Sequence, residues 1–209
     1  MNKKLPLISS AKKICIICEG FEEHDYFTKL LELNVWNKLY DFKLVNAEGN
    51  GNIPARYQEK YQSDSYDLVL VFCDTDKNPR EQYELIKKKI NNFHGSDNAS
   101  NHVVIFGNPC TLQIILLHFD DVKLVSHKKK KNSKPIELLT GILKYDAEAE
   151  QRKELCDKIT KDNYSDMKNR VSILPSDDTI VSSSNIGVFL DWFGNHDTSW
   201  INRINDYLS

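Results

Sequence analysis

The segment KKICIICEGFEEHDYF, which covers residues 12–27, decides the fold of this chain. It begins with an apolar run whose near-continuous Ile and Cys residues are typical of a strand covered on both faces in a parallel sheet. The run ends at Glu19, and the following residues place Tyr26 and Phe27 on the apolar side of a predicted helix. A carboxylate such as Glu19 is costly to bury unless a cation or a hydrogen-bond donor compensates it. The segment therefore predicts a strand that runs directly into a helix, with an acidic group at the junction that needs a partner.

Three further apolar segments predict strands, and amphipathic segments alternate with them. The strand segments are FKLVNAE (residues 42–48), YDLVLVFCD (66–74) and HVVIFGN (102–108). The clearest helical segments are EEHDYFTKLLEL (22–33) and PREQYELIKKKINNF (79–93). The order β-α-β-α-β-α-β predicts an α/β fold in which helices flank a mostly parallel, four-stranded sheet.

The length of 209 residues favours one main core rather than two large domains. We expect the α/β core over residues 1–122, a basic and helical insertion or cap over 123–168, and C-terminal helices that pack on the core over 169–209. Hydrophobic residues make up 40% and charged residues 28% of the chain, which is typical of a globular protein rather than of a disordered one.

Other features argue against several classes of protein. No apolar run approaches the ~20 residues that a membrane-spanning helix needs, so we expect a cytoplasmic protein without a membrane partner. The GxGxxG and GxxxxGKS/T spacings of phosphate-binding loops are absent. The five cysteines are predicted to be reduced and mostly buried. Cys15 and Cys18 would face opposite sides of a strand, which argues against a zinc site.

Two of the predicted strands end in acidic residues. Glu19 follows the first strand, and Asp74 and Asp76 end the third in the sequence LVFCDTD. Because the carboxyl ends of parallel strands lie at one edge of a sheet, we expect these carboxylates to converge near a change in strand order. An all-oxygen group of this kind favours Mg²⁺ or Mn²⁺ over zinc. The alternative is that Asp74 and Asp76 only end the strand and cap the helix that begins at Pro79.

A basic run and an Asn-Pro pair are further candidates for the site. The sequence HKKKKNSK, residues 127–134, holds five lysines, which favours contact with the phosphates of a nucleic acid. The residues predicted to make this contact are Lys128, Lys129, Lys130 and Lys131. A solvated, charged loop is the alternative. Asn108 follows the fourth strand and is a candidate for orienting a phosphate or a water molecule, although a plain turn is the commoner use of such a residue.

These motifs together resemble those of a known family. The sequence CEGFEEHDYF (residues 18–27) is similar to the EGxxE-type opening of Toprim-fold proteins, and VFCDTD (71–76) is similar to their DxD strand end. The sequences NPCTLQIILLHF (108–119) and SSSNIGVFLDWF (182–193) resemble segments of the RloB-like branch of that superfamily. The resemblance implies a Toprim-like, Rossmann-like core.

The resemblance also implies a function and roles for particular residues. Glu19, Asp74 and Asp76 would be catalytic and would bind Mg²⁺, and Glu23 would match the second acid of the opening motif as a further metal ligand. Such a site supports cutting of phosphodiester bonds. RloB-like proteins are associated with bacterial anti-phage defence and often accompany an AAA/ABC-type ATPase, so the resemblance implies that partner as well.

The chain departs from the family pattern in one place, which leaves alternatives open. The RloB-like branch usually has an aromatic residue and a Glu followed by Trp after Asn-Pro, whereas this chain has Thr111, Leu112 and Ile114. No tyrosine is placed as a topoisomerase nucleophile, which favours hydrolysis. We therefore expect a metal-dependent nuclease, with a non-catalytic interaction subunit as the alternative. A phosphoryl-transfer enzyme of the haloacid dehalogenase type is less consistent, because its acidic loop normally follows the first strand.

Overall fold

The computed structural model describes residues 11–75 and 80–209 and shows an α/β protein built on one five-stranded sheet. The strands are β1 (Lys12–Cys18), β2 (Tyr40–Asn46), β3 (Leu68–Asp74), β4 (Val104–Asn108) and β5 (Ser183–Ser184). Their order across the sheet is β2-β1-β3-β4-β5, and all neighbours are parallel except β4 and β5. After β1, the chain forms β2 on one side of β1 and then β3 on the other side. The direction in which strands are added to the sheet therefore reverses between β1 and β3. This is the position at which open α/β sheets bind ligands.

The helices connect and cover the strands. They are α1 (Phe21–Glu32), α2 (Ile53–Gln62), α3 (Arg80–His94), α4 (Ala99–Val103), α5 (Leu112–Leu116), α6 (Lys129–Thr140), α7 (Ala149–Asp157), α8 (Lys161–Val171), α9 (Ile186–Gly194) and α10 (Ser199–Leu208). Helix α1 begins directly after β1 because the carboxylate of Glu23 accepts a hydrogen bond from the backbone N–H of Gly20 at 2.9 Å, as in a capping box. None of the helices in the described ranges is long and apolar enough to cross a membrane.

The predicted α/β fold with a mostly parallel sheet is confirmed, but the predicted number of strands is wrong. A fifth strand, β5, pairs antiparallel with β4, and the Oγ of Ser184 donates a hydrogen bond to the carbonyl of Phe106 at 2.6 Å. This strand has only two residues, both serine, so it carries none of the apolar alternation by which a strand is recognised. Helix α8 also runs past the expected boundary at residues 168 and 169, because Val171 continues its buried face.

The core lies on both faces of the sheet. Strands β1 and β3 are buried along almost their whole length, as expected of central parallel strands covered by helices. The five cysteines are all free and buried, as predicted. The chain therefore places its two acid-ended strands side by side at the centre of the sheet.

An aromatic cluster joins the C-terminal helices to the outer strand β2, and we call it the tryptophan cluster. Trp36 packs on Phe42 of β2, with ring centroids 4.5 Å apart, and on Phe193 of α9 at 5.0 Å. Trp192 stacks on Trp200 of α10 at 5.0 Å. Aromatic pairs at these distances add stabilisation beyond the area that they bury. The cluster thus anchors α9 and α10 to the sheet.

Candidate functional site

The carboxylates of Glu19 and Asp74 meet at the carboxyl ends of β1 and β3. The backbone N–H of Glu19 donates to the carbonyl of Phe72 at 3.0 Å, which holds Glu19 beside β3. Its Oε2 then accepts a hydrogen bond from the backbone N–H of Asp74 at 3.0 Å. This donor is a partner for the carboxylate at the end of the buried strand. The structure thus brings together Glu19 and Asp74, while Asp76 lies outside the described residues.

The turn between β4 and α5 holds the side chain of Asp74. Asp74 Oδ1 accepts two hydrogen bonds from Thr111, one from the backbone N–H at 2.6 Å and one from the hydroxyl at 2.7 Å. Thr111 can lie this close because residue 107 is glycine: a Cβ there would come within 3.0 Å of the backbone of Cys110. Sequence reasoning noted Thr111 only as a departure from the family pattern and missed this contact. A hydroxyl residue in the turn after the neighbouring strand was the available signal.

Two more carboxylates lie at the start of α1. Glu23 is buried, with 4% of its surface exposed, and its burial and the nearby charge of Glu22 raise its pKa to about 7. Glu22 accepts a hydrogen bond from the hydroxyl of Tyr145 at 2.6 Å, and burial raises its pKa as well. Both shifts mean that the folded protein disfavours negative charge here unless a positive charge is nearby.

A pocket of about 290 Å³ opens between these carboxylates and the helical insertion. Its acidic lining comes from the core and consists of Glu19, Glu22, Glu23 and Asp74. Its basic lining comes from the insertion and consists of His127, Lys129 and Arg152. The pocket therefore has an acidic half and a basic half, contributed by different parts of the chain.

Several contacts hold the insertion against α1. Arg152 donates through Nε to Asp25 Oδ2 at 2.8 Å, and its guanidinium lies 5.1 Å from the centre of the Phe21 ring. Lys29 and Asp157 form an ion pair at 3.8 Å. These contacts join residues more than 100 positions apart in the sequence, so no local pattern indicated that Arg152 or Tyr145 belongs to the site.

The lysine run forms the start of α6. Lys128 is the residue before the helix, and Lys129, Lys130 and Lys131 form its first turn. All four are exposed, and Lys129 lines the pocket. Positive charges at a helix N-terminus oppose the helix dipole, and this first turn contains no acidic residue. The run therefore does not stabilise α6, and its charges are directed at solvent and at the pocket.

Asn108 lies at the end of β4 but does not line the pocket. Its Nδ2 donates to the carbonyls of Asp178 at 2.8 Å and of Ile180 at 2.9 Å. The carboxylate of Asp178 in turn accepts hydrogen bonds from Tyr83 at 2.9 Å and from Lys87 at 2.7 Å. Asn108 thus joins the end of β4 to the segment before β5, and its amide nitrogen is used in that contact.

The residues of the acidic half fit Mg²⁺ or Mn²⁺ by the chemistry of their donor atoms. Glu19, Glu23 and Asp74 offer carboxylate oxygens, which are the ligands that these ions prefer. Within residues 11–75 and 80–209, no group of three or more His, Cys, Asp or Glu side chains is arranged closely enough to hold a metal ion. Asp76 falls in the gap between those two ranges. The fit therefore rests on donor type.

Fold and site together define a Rossmann-like α/β protein with a pocket of mixed charge at the change in strand order. Comparison of the chain with protein-family models finds no match, and comparisons with curated proteins and with solved structures find none either.

Proposed function

We propose that this protein is a Toprim-type, RloB-like phosphodiesterase that uses Mg²⁺ or Mn²⁺ to hydrolyse nucleic acid. The observation that best supports the proposal is the 3.0 Å hydrogen bond from the Asp74 backbone N–H to Glu19 Oε2. It links the acid of the EGxxE-like segment to the first acid of the DxD-like segment, at the edge of the sheet where ligands bind.

The chain's own residues have defined tasks in this proposal. Thr111 fixes the carboxylate of Asp74 through two hydrogen bonds, and the backbone of Asp74 fixes Glu19. The metal would be held by Glu19, Asp74 and Asp76, with Glu23 as a further ligand, and would neutralise phosphate charge and acidify a bound water. If Glu19 is not a ligand in the reactive state, it would instead take the proton of the attacking water, a role that typically contributes ~10²–10⁴-fold to the rate.

The cellular setting that we propose rests on the RloB-like resemblance. In it the nuclease belongs to a bacterial anti-phage defence system, acts in the cytoplasm and works with an AAA/ABC-type ATPase. The lysines at the start of α6 would contact the nucleic acid, and their exposure supports this role.

Calorimetric titration with Mg²⁺ and Mn²⁺ tests the metal site. We expect Asp74→Asn to weaken binding at least about tenfold, because it removes a charge while keeping the shape and the contacts to Thr111. Asp41→Asn is the matched control, because Asp41 is exposed at the opposite, amino end of the sheet. Metal-dependent cleavage of labelled DNA and RNA should fall by ~10² or more in Glu19→Gln.

The same titration can reject the proposal. If the folded wild-type protein binds neither ion, or if Asp74→Asn and Asp41→Asn weaken binding equally, the acidic half is not a metal site. The non-catalytic interaction subunit would then be the better interpretation of the fold.

A further inference from the structure

We propose that the pocket binds a single strand of nucleic acid, with Phe21 as the stacking surface for a base and Lys129 as the contact for a phosphate. The choice of nucleic acid as the ligand rests on the proposed function. The assignment to a single strand, and to these two residues, comes from the volume of the pocket and from its exposed lining residues.

Phe21 is an exposed aromatic residue in an unusual place. It is the first residue of α1, 58% of its surface is exposed, and it lines the pocket beside the carboxylates. The guanidinium of Arg152 lies over the ring, 5.1 Å from its centre, and the residue nevertheless keeps more than half of its surface exposed. Proteins that bind single strands use exposed aromatic rings in this way, because every base has a face that can stack.

Lys129 provides a positive charge at the same pocket. Within the described ranges its ammonium forms no ion pair, and its charge reaches the acidic half, where it favours the ionised form of Glu22 against the effect of burial. The N-terminus of α6, a helix of 12 residues, adds its dipole to this charge. A phosphate held by Lys129 would share the pocket with Glu19 and Asp74, which also line it.

The size of the pocket favours one strand over two. A volume of about 290 Å³ is at the lower end of the ~300–1,000 Å³ range of small-ligand pockets. Such a space accommodates part of one strand, whereas the faces of the bases within a duplex are already stacked on neighbouring base pairs. Unpaired bases are free to stack, so a single strand can satisfy both residues at once.

Fluorescence anisotropy with labelled, short single-stranded DNA and RNA, measured in EDTA, tests this inference. We expect Phe21→Ala to weaken binding by roughly 5- to 160-fold, as is typical for loss of one stacked base. Tyr207→Ala is the matched control, because Tyr207 is equally exposed at 58% but lies at the end of α10. Lys129→Ala should make the negative slope of log K against log salt shallower by about 0.7, the value for one phosphate contact on a single strand. Lys153→Ala is its control, as an exposed lysine of α7 that does not line the pocket.

Several results would overturn the inference. These are equal effects of Phe21→Ala and Tyr207→Ala, a duplex that binds as tightly as the single strand, or a Lys129→Ala effect no larger than that of Lys153→Ala. Because the binding assay contains no free metal, it measures the binding of the strand separately from the binding of the metal. If the protein binds single strands but no metal, the proposed nuclease activity is contradicted, whereas the proposed binding site is supported.

Discussion

At the scale of single residues, Glu23 has both a structural and an electrostatic effect. Its carboxylate caps α1 through the backbone N–H of Gly20, yet it is buried next to Glu22, and its pKa rises to about 7. A carboxyl group whose pKa is raised by folding stabilises the folded state less as pH rises from the unfolded-state value of 4.5 toward 7. The metal-free protein should therefore lose stability over this range.

Glu23→Gln should remove that loss. Glutamine keeps an acceptor for the Gly20 N–H and carries no charge. We expect the variant to match the wild type near pH 4 and to exceed its free energy of unfolding by roughly 1–3 kcal/mol near pH 8. Urea unfolding in EDTA at several pH values measures this, with the exposed Glu32→Gln of the same helix as the control. A variant less stable than the wild type at pH 8 would show that the hydrogen bonds to Glu23 outweigh the repulsion.

Single residues of the site were predictable where a local pattern carried them. Glu19, Glu23 and Asp74 stand at the ends of recognisable strands or at the start of a helix, and the structure places all three around one pocket. Thr111 offered one signal, its hydroxyl group in the turn after the neighbouring strand, whereas Tyr145 was not predictable, because it acquires its role only when a distant segment packs against the acids. Sequence spacing contains no information on such contacts.

At the scale of secondary-structure elements, the turn between β4 and α5 positions the site. It folds back so tightly that the Gly107 position has no room for a side chain, and this brings Thr111 to Asp74. Because the backbone of this turn is so closely packed, a change at Gly107 would move Thr111, and with it the carboxylate of Asp74.

Gly107→Ala should therefore disturb both stability and metal binding. The added methyl group would lie 3.0 Å from the backbone carbon and oxygen of Cys110, so backbone must shift, at a cost of roughly 1–3 kcal/mol. Calorimetry on the folded fraction should also show weaker Mg²⁺ binding, because Thr111 moves from Asp74. Gly194→Ala serves as the control, since a methyl group there meets no atom within 4 Å. Unchanged binding in folded Gly107→Ala would show that Thr111 does not position Asp74 for the metal.

The elements of the core were more predictable than their edges. The apolar run of β3 and the helical spacing of α3 predicted both elements within about two residues, because burial fixes the periodicity of their side chains. The segment HVVIFGN was predicted as strand throughout, but its first two residues end α4. The β-branched Val103 favours a strand, so the packing of α4 on its neighbours overrides the local preference here.

At the scale of the whole molecule, α1 makes several of the contacts that join the insertion to the core. Besides the contacts at its N-terminus, Tyr26 in the middle of α1 contacts His118 Nε2 at 3.1 Å, and His118 Nδ1 contacts Asn163 of α8 at 3.1 Å. Burial lowers the pKa of His118 to about 4, so it is neutral at neutral pH and acts as a packed link. The sequence predicted a core, an insertion and C-terminal helices as separate segments. The way in which the insertion packs on the core depends on long-range pairs such as these, which the sequence does not reveal.

Tyr145→Phe should loosen the insertion without unfolding the core. The change keeps the buried ring and removes the hydrogen bond to Glu22, which typically contributes ~1.5–3 kcal/mol when the acceptor is charged. Amide hydrogen exchange should accelerate in α6 and α7 more than in β1 and β3. Tyr61→Phe on α2 provides a control far from the insertion. Equal acceleration everywhere would mean that insertion and core open as one cooperative unit.

The tryptophan cluster has a spectroscopic consequence. All three tryptophans of the chain, Trp36, Trp192 and Trp200, lie in this one cluster beside β2. Their emission will thus report whether the C-terminal helices are packed on the sheet, and none of the three tryptophans lines the acidic pocket. Intrinsic fluorescence of this protein therefore reports on the region of β2, α9 and α10. A second optical probe is needed to follow the acidic pocket.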